Sequence, residues 1–164
     1  MITLASAVLS MTLCLLAWGA PRIIPRPTRR MTNPATFTFA VHSERLAIAR
    51  LQPDAPVPDW ATGTFVTVSR TSQELSVVCP QRHVPPTIQQ ERDKVAFGIE
   101  GTVAMTTIGV LASLCTALAQ AQVPVFVIST YDTDYLLVSA DRFPAARAAL
   151  LGLGHRIRGE LPAT

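Results

Sequence analysis

The residues with the most evident chemical potential form a polar turn between two apolar runs, at 125–128 (VFVI) and 135–138 (YLLV). The turn itself, 129–134, reads STYDTD and carries two carboxylates, Asp132 and Asp134. A polar stretch between two buried strands indicates either a tight turn or the rim of a binding site. Turn chemistry is the simpler interpretation of the two aspartates, because an Asp side chain bonds its own backbone and tolerates unusual φ values.

The other candidate chemistry is a thiol–imidazole pair formed by Cys79 and His83, four residues apart. Pro80 lies between them, and we interpret the spacing as a coincidence. The histidines at 42, 83 and 155 have no carboxylate at a metal-ligand interval, so no zinc site is predicted. The sequence also contains no glycine-rich phosphate loop and no nucleophile elbow. We therefore expect no enzymatic activity, no metal and no cofactor.

Length and charge limit the class of protein. A chain of 164 residues, 49% of them hydrophobic, suggests one domain or two small subdomains that share a core. The net charge of +3 arises from four arginines in residues 1–30, which contain no acid. The remainder has ten basic and eleven acidic residues, so it lacks the basic excess needed to bind a phosphate backbone. Nucleic acid is not an expected partner.

Residues 1–20 form an apolar leader, followed by an Arg- and Pro-rich linker. The leader has the length of a signal-peptide core or a membrane anchor, and a third interpretation is that translation starts at Met31. Three cysteines, Cys14, Cys79 and Cys115, are an odd number with no metal spacing, and we expect reduced, buried thiols. A disulfide between Cys79 and Cys115 stays open as an alternative.

The first half of the chain is predicted to be rich in strands. Alternating or β-branched patterns favour strands at 45–51, 65–70 and 74–79, the last two joined by a short loop. Asp59 is predicted to cap a single helical turn in which Trp60 plugs the core. The polar segment 80–93 is predicted to be a connection, with a turn of helix near 88–91.

The second half predicts the order β-α-β-β-α-β. The predicted elements are a strand at 95–101 with its odd positions inward, a helix at 109–122 capped by Thr106 or Thr107, the hairpin around 129–134, a helix capped by Asp141 and an edge strand at 155–158. This order is the ferredoxin-like split β-α-β unit. The fold class is therefore α+β, with antiparallel sheets and helices on one face.

The domain prediction is a leader and linker at 1–33, a first, reduced subdomain at 34–93 and a second subdomain at 94–160. Several pieces carry a family resemblance: PDAPVPDWA, FVTVSRTSQELSVVCP and GVLASLCTALAQAQVPVFVISTYDTDYLLV. From about Leu46 to His155 the chain resembles a family of small proteins with tandem ACT-like domains. These proteins include uncharacterised bacterial members and are similar to the ACT modules of the CASTOR cytosolic arginine sensors.

The resemblance implies a small effector, often an amino acid, held by two elements at interfaces between modules. These are the loop and helix start at 105–109 and the strand end and turn at 128–132. The unpaired N–H groups of a helix start favour a carboxylate, and an Asp could receive an ammonium group. The candidate ligand-binding residues are Thr106, Thr107, Ile108, Gly109, Ser129, Thr130, Asp132 and Asp134.

We therefore predict a non-catalytic, amino-acid-binding regulatory module. The alternative is an assembly module of the same fold without a ligand, and an enzyme using Cys79 is a distant third. Exposed sheet edges suit pairing into a homodimer or with a partner protein. The resemblance implies a cytoplasmic protein, or a secreted or membrane-anchored one if the leader at 1–20 is retained or processed.

Overall fold

The computed structural model describes residues 35–163, so the predictions for the leader lie outside the described residues. The helices are α1 (Val110–Gln120) and α2 (Phe143–Gly152), the latter preceded by a 3-10 turn at Ala140–Arg142. The eight strands are β1 (Thr38–Val41), β2 (Leu46–Leu51), β3 (Thr67–Arg70), β4 (Leu75–Pro80), β5 (Gln90–Ile99), β6 (Phe126–Ser129), β7 (Asp134–Ser139) and β8 (Arg156–Arg158).

All eight strands belong to one sheet in which β5 is central. One edge of β5 pairs with β2 along its first half and with β1 along its second half, and the other edge pairs with β7. The sheet continues through β4 and β3 beyond β2, through β8 beyond β1, and through β6 beyond β7. The second half of the chain therefore follows the predicted β-α-β-β-α-β order, and the α+β fold class is confirmed.

One strand pair departs from the predicted antiparallel arrangement. β1 pairs with β8 in parallel, so the sheet is mixed. β1 was not predicted from the sequence, and this strand lies between β5 and β8. β1 runs antiparallel to β5, so β8, which is parallel to β1, also runs opposite to β5. β8 nevertheless lies at the end of the strand order, as predicted.

The helices pack on one face of β5. Val95, Phe97 and Ile99 of β5 are buried against side chains of α1 and α2, and the rings of Phe97 and Phe143 stack with centroids 5.1 Å apart. The prediction that the odd positions point inward is confirmed. On the opposite face, Ala96 is buried in a separate cluster that includes residues of the N-terminal strands. The central strand is thus buried on both faces.

The N-terminal strands have a core of their own. Buried residues of β2 and β4 form a cluster against which the half-buried Trp60 packs, in agreement with its predicted role as a core plug. The backbone around Trp60 is a hydrogen-bonded turn, with the Ala61 N–H donating to the Pro58 carbonyl at 3.0 Å. The predicted helical turn capped by Asp59 is therefore wrong. Three prolines nearby remove backbone donors and favour an irregular path.

Two further boundaries differ from the predictions. β5 begins at Gln90, so the predicted turn of helix near 88–91 is wrong. Pairing of Gln90 and Glu91 with β2 supplies a ladder of backbone bonds that local propensity does not reveal. Asp141 lies in the 3-10 turn and does not cap α2, which has no side-chain cap bond. Pro144 does lie in the first turn of α2.

The pairing pattern of the first three strands after β1 repeats in the next three. β2 pairs with β4 and β4 with β3, just as β5 pairs with β7 and β7 with β6, and all four pairs are antiparallel. The predicted boundary between the subdomains, at 93 and 94, falls inside β5. The division into 34–93 and 94–160 stays a prediction.

Both cysteines in the described part of the chain, Cys79 and Cys115, are free thiols. No helix within residues 35–163 has the length and apolarity to cross a membrane.

Packing of Tyr135 on Gly98 gives a stability prediction. A Cβ on Gly98 would lie 2.7 Å from Cε1 of the Tyr135 ring. The same ring packs edge-on against the Phe65 ring, with the two ring centroids 4.9 Å apart. We expect Gly98→Ala to lower the free energy of unfolding by about 1–3 kcal/mol through overpacking. Chemical denaturation measures the change.

Gly152→Ala is the matched control, because a Cβ at Gly152 meets no atom within 4 Å. Gly152 ends α2, where alanine should be neutral or stabilise by up to about 1 kcal/mol. Equal unfolding free energies for the two variants would contradict the predicted role of the Gly98–Tyr135 contact.

His155 makes stability depend on pH. It is buried between the rings of Phe37 and Phe39, and its Nδ1 accepts the Phe37 N–H at 3.2 Å, so the ring is neutral. Burial lowers the pKa of His155 below its usual 6.5 in the folded chain. The unfolded chain therefore takes up a proton first, and stability is lost as the pH falls from about 6.5 through the folded pKa.

His155→Gln keeps an acceptor for the Phe37 N–H but cannot titrate. We expect its unfolding free energy to fall less steeply between pH 7 and pH 5 than that of the wild type. The pKa of His42 is also lowered by burial, and His42 is present in both proteins, so the comparison isolates His155. Identical slopes would show that His155 does not contribute.

Candidate functional site

The site is a cavity of about 370 Å³ between the start of α1 and the turn that joins β6 to β7. Its walls come from the loop before α1, the first turn of α1, and the end of the β6–β7 hairpin. The lining residues are Val103, Ala104, Met105, Thr107, Gly109, Val110, Leu111, Ala112, Ser129, Thr130, Tyr131, Thr133 and Asp134.

Gly109 sets the start of α1. It is the N-cap residue with φ 87°, a left-handed conformation that glycine adopts without steric cost, and the helix start has no side-chain cap bond. The prediction that Thr106 or Thr107 caps the helix is therefore wrong. Residues 104–107 instead form a separate turn, closed by the Thr107 N–H and the Ala104 carbonyl at 2.8 Å.

The first turn of α1 presents backbone donors to the cavity. The first intrahelical bond is donated by Ser113 to the Gly109 carbonyl at 3.0 Å, so the N–H groups of residues 110–112 have no partner within the helix. Val110, Leu111 and Ala112 all line the cavity. These N–H groups also carry the positive end of the helix dipole, so this wall favours an anionic group.

Backbone and side-chain bonds close the β6–β7 turn. The Thr130 N–H donates to the Thr133 carbonyl at 2.8 Å, and Ser129 Oγ donates to Asp134 Oδ1 at 2.5 Å. The Thr133 hydroxyl donates to the Ile99 carbonyl at the end of β5, at 2.7 Å. These bonds fix the half-buried Asp134 carboxylate at one end of the cavity.

The two walls are joined to each other. The Val103 N–H in the loop before α1 donates to the Asp132 carbonyl in the β6–β7 turn, at 2.8 Å. The loop before α1 leaves the same end of β5 that accepts the Thr133 hydroxyl. The cavity is therefore built on backbone bonds at one end of the sheet.

Asp134 dominates the electrostatics of the cavity, because it is the one ionisable carboxylate among the lining residues, which include no Lys, Arg or His. Its Oδ2 has no protein donor within residues 35–163. The arrangement offers a negative group and a helix start to the same small volume. It can bind a molecule that carries a cationic and an anionic group.

The structure brings five of the eight predicted residues together at the cavity: Thr107, Gly109, Ser129, Thr130 and Asp134. Thr106, Ile108 and Asp132 do not line it. Ile108 is 98% exposed, and the exposed Asp132 contributes its carbonyl to the turn.

The eight predicted ligand-binding residues do not include two large side chains of the cavity, Met105 and Tyr131. Both line the cavity and are 79% and 83% exposed. The sequence feature that could have identified them is that each is a bulky side chain within an otherwise polar loop.

The thiol–imidazole pair is not formed. Burial raises the pKa of the Cys79 thiol, which is the opposite of what a nucleophile requires. Nδ1 of His83 donates to the Thr62 carbonyl at 2.8 Å, on the loop that follows Trp60. Among the described residues, no group of three His, Cys, Asp or Glu side chains could hold a metal ion.

Family comparisons agree with this architecture. Residues 90–151 match the model of an ACT domain family, and residues 44–87 match a second family model, described as an N-terminal domain. Among curated proteins, no sequence matches this chain.

Solved structures share the fold. A protein from Agobacterium tumefaciens is 27% identical, with a TM-score of 0.73 over 79% of this chain and 98% of that one. The regulatory subunits of aspartate kinase from Thermus flavus and Thermus thermophilus are 14% and 15% identical, with TM-scores of 0.54 and 0.53, over 73% of this chain and 99% of each subunit. This chain therefore has an ACT-like α+β fold, and residues 90–151 match the ACT domain family.

Proposed function

We propose that this protein is a non-catalytic regulatory module that binds an amino acid in the cavity between α1 and the β6–β7 turn. The fold it shares with regulatory subunits of aspartate kinase supports a regulatory role. As with the CASTOR sensors that the sequence resembles, we propose that it acts in the cytoplasm.

The observation that carries the proposal is the pairing of Asp134 with the unpaired start of α1 in one cavity. An α-carboxylate would accept hydrogen bonds from the N–H groups of residues 110–112. An α-ammonium group would donate to the free oxygen of Asp134. Hydrogen bonds to a charged group contribute about 1.5–3 kcal/mol, and the helix dipole adds about 0.3–1 kcal/mol.

A ligand in this position would contact both walls of the cavity at once. Its binding would stabilise the arrangement of the α1 start relative to the β6–β7 turn, because the energy is gained only when both contacts form. A partner that distinguishes this arrangement would then respond to the ligand by a shift in populations.

The direct test is thermal unfolding of the full chain with each of the twenty L-amino acids. At a concentration one hundred times the Kd, a ligand of the folded state adds about 2.7 kcal/mol to stability. At least one amino acid should raise the melting temperature reproducibly. No rise with any of the twenty would contradict the proposal.

Asp134→Asn tests the assigned carboxylate. Asparagine keeps an oxygen to accept the Ser129 hydroxyl but removes the negative charge. We expect the Kd of the identified amino acid to rise at least about tenfold, since a charge-assisted bond is lost. Isothermal titration calorimetry measures the change.

Asp132→Asn is the matched comparison, because the Asp132 side chain does not line the cavity. It should leave the Kd within about twofold of the wild-type value, since the change removes one exposed charge that touches no ligand. A larger effect at Asp132 than at Asp134 would reverse the assignment of the two aspartates.

A second candidate function is protein assembly without a ligand. The observation in its favour is the exposure of Ile108, Met105 and Tyr131, at 98%, 79% and 83%. Large, mainly apolar side chains that stay exposed on a folded protein can mark a contact surface. Pairing through the sheet edges at β3 and β8 stays a further proposal for this role.

Ile108→Ser tests whether Ile108 belongs to an assembly surface. Sedimentation velocity at several concentrations should show weaker self-association of the variant if Ile108 lies in an assembly surface, with a Kd for association raised about tenfold. Val57→Ser is the control, since Val57 is 50% exposed but lies far along the chain from the cavity loops. If Ile108→Ser leaves the mass distribution unchanged, the assembly surface does not include Ile108.

A further inference from the structure

We infer that the cavity selects amino acids with an uncharged, apolar side chain. The inference rests on the proposed function, because it names the class of ligand for the same cavity. In the proposed function, the α-carboxylate of the ligand binds the start of α1 and its α-ammonium group binds Asp134. The remaining lining residues then determine which ligand side chain is preferred.

Charge excludes two classes of ligand. A glutamate or aspartate side chain would meet no Lys, Arg or His among the lining residues and would be repelled by Asp134. A lysine or arginine ligand carries two cationic groups, whereas the walls supply the single carboxylate of Asp134. In either case the lining residues supply no partner for the additional charge, so that charge gains nothing from the walls.

Hydrogen bonding disfavours a polar side chain. Three hydroxyl groups of the cavity wall already donate to acceptors within the protein: Ser129 to Asp134, Thr130 to the Thr133 carbonyl, and Thr133 to the Ile99 carbonyl. Among the lining hydroxyl groups, those of Thr107 and Tyr131 remain as partners for a polar ligand side chain, and both belong to exposed residues. A site favours a polar ligand group strongly when its own polar groups would otherwise stay unpaired, and these three hydroxyl groups are already paired.

The remaining wall is apolar. Val103 and Leu111 line the cavity and are half-buried, and Met105 and Tyr131 line it while largely exposed to water. An apolar ligand side chain would remove apolar surface of these two residues from water, which is a favourable change. The flexible thioether of Met105 and the ring of Tyr131 can adapt to side chains of different shape.

Calorimetric titration of the full chain with L-leucine, L-phenylalanine, L-glutamate and L-lysine tests the inference. Leucine or phenylalanine should bind at least tenfold more tightly than glutamate and lysine. Tighter binding of glutamate or lysine, abolished by Asp134→Asn, would overturn the inference and leave the proposed function intact. No binding by any of the twenty L-amino acids would overturn the proposed function as well.

Met105→Lys tests which wall determines the preference. Met105 is 79% exposed, so the change should not disturb folding, but it places a cation beside the ligand side chain. The ratio of leucine affinity to glutamate affinity should fall at least tenfold.

Val68→Lys is the matched control, because Val68 is 41% exposed on β3 and does not line the cavity. It should keep the wild-type ratio. A wild-type ratio in Met105→Lys, or an equal change in both variants, would overturn the assignment of the apolar wall.

Discussion

The backbone pairing of β5 along both edges is the constraint on which the rest of this structure depends. Its ten residues hold β2 and β1 on one side and β7 on the other. Its side chains are buried on both faces, with Phe97 under the helices and Ala96 against the N-terminal strands. Since every neighbouring layer packs on this strand, no layer can shift without breaking bonds or opening a cavity in another.

The walls of the cavity are held in place by hydrogen bonds at the end of β5 and in the loop that follows it. The Ile99 carbonyl accepts the Thr133 hydroxyl, and the Val103 N–H binds the Asp132 carbonyl, so the turn and the loop before α1 are held together. α1 is packed into the core through Leu114 and Leu118.

The sequence predicted much of this architecture because periodicity reports burial directly. The hairpin around 129–134, the buried face of α1 and the odd positions of β5 all follow from patterns of apolar residues. β1 was not predicted because a strand of four residues carries little periodic signal. The start of β5 was not predicted because its first residues are polar. The strand conformation of β1 comes from pairing with β5 and β8, and that of the start of β5 from pairing with β2, which local sequence does not encode.

For the site, the sequence alone determined the two elements that meet and the residue types that each supplies: Gly109 at a helix start, and carboxylates in a turn. The tertiary structure decided which carboxylate enters the cavity. Asp134 is the first residue of β7, accepts the Ser129 hydroxyl and lines the cavity, whereas Asp132 gives its carbonyl to Val103. Alternate residues of a strand point to opposite faces, and a turn ends that alternation, so only the folded register could separate the two aspartates.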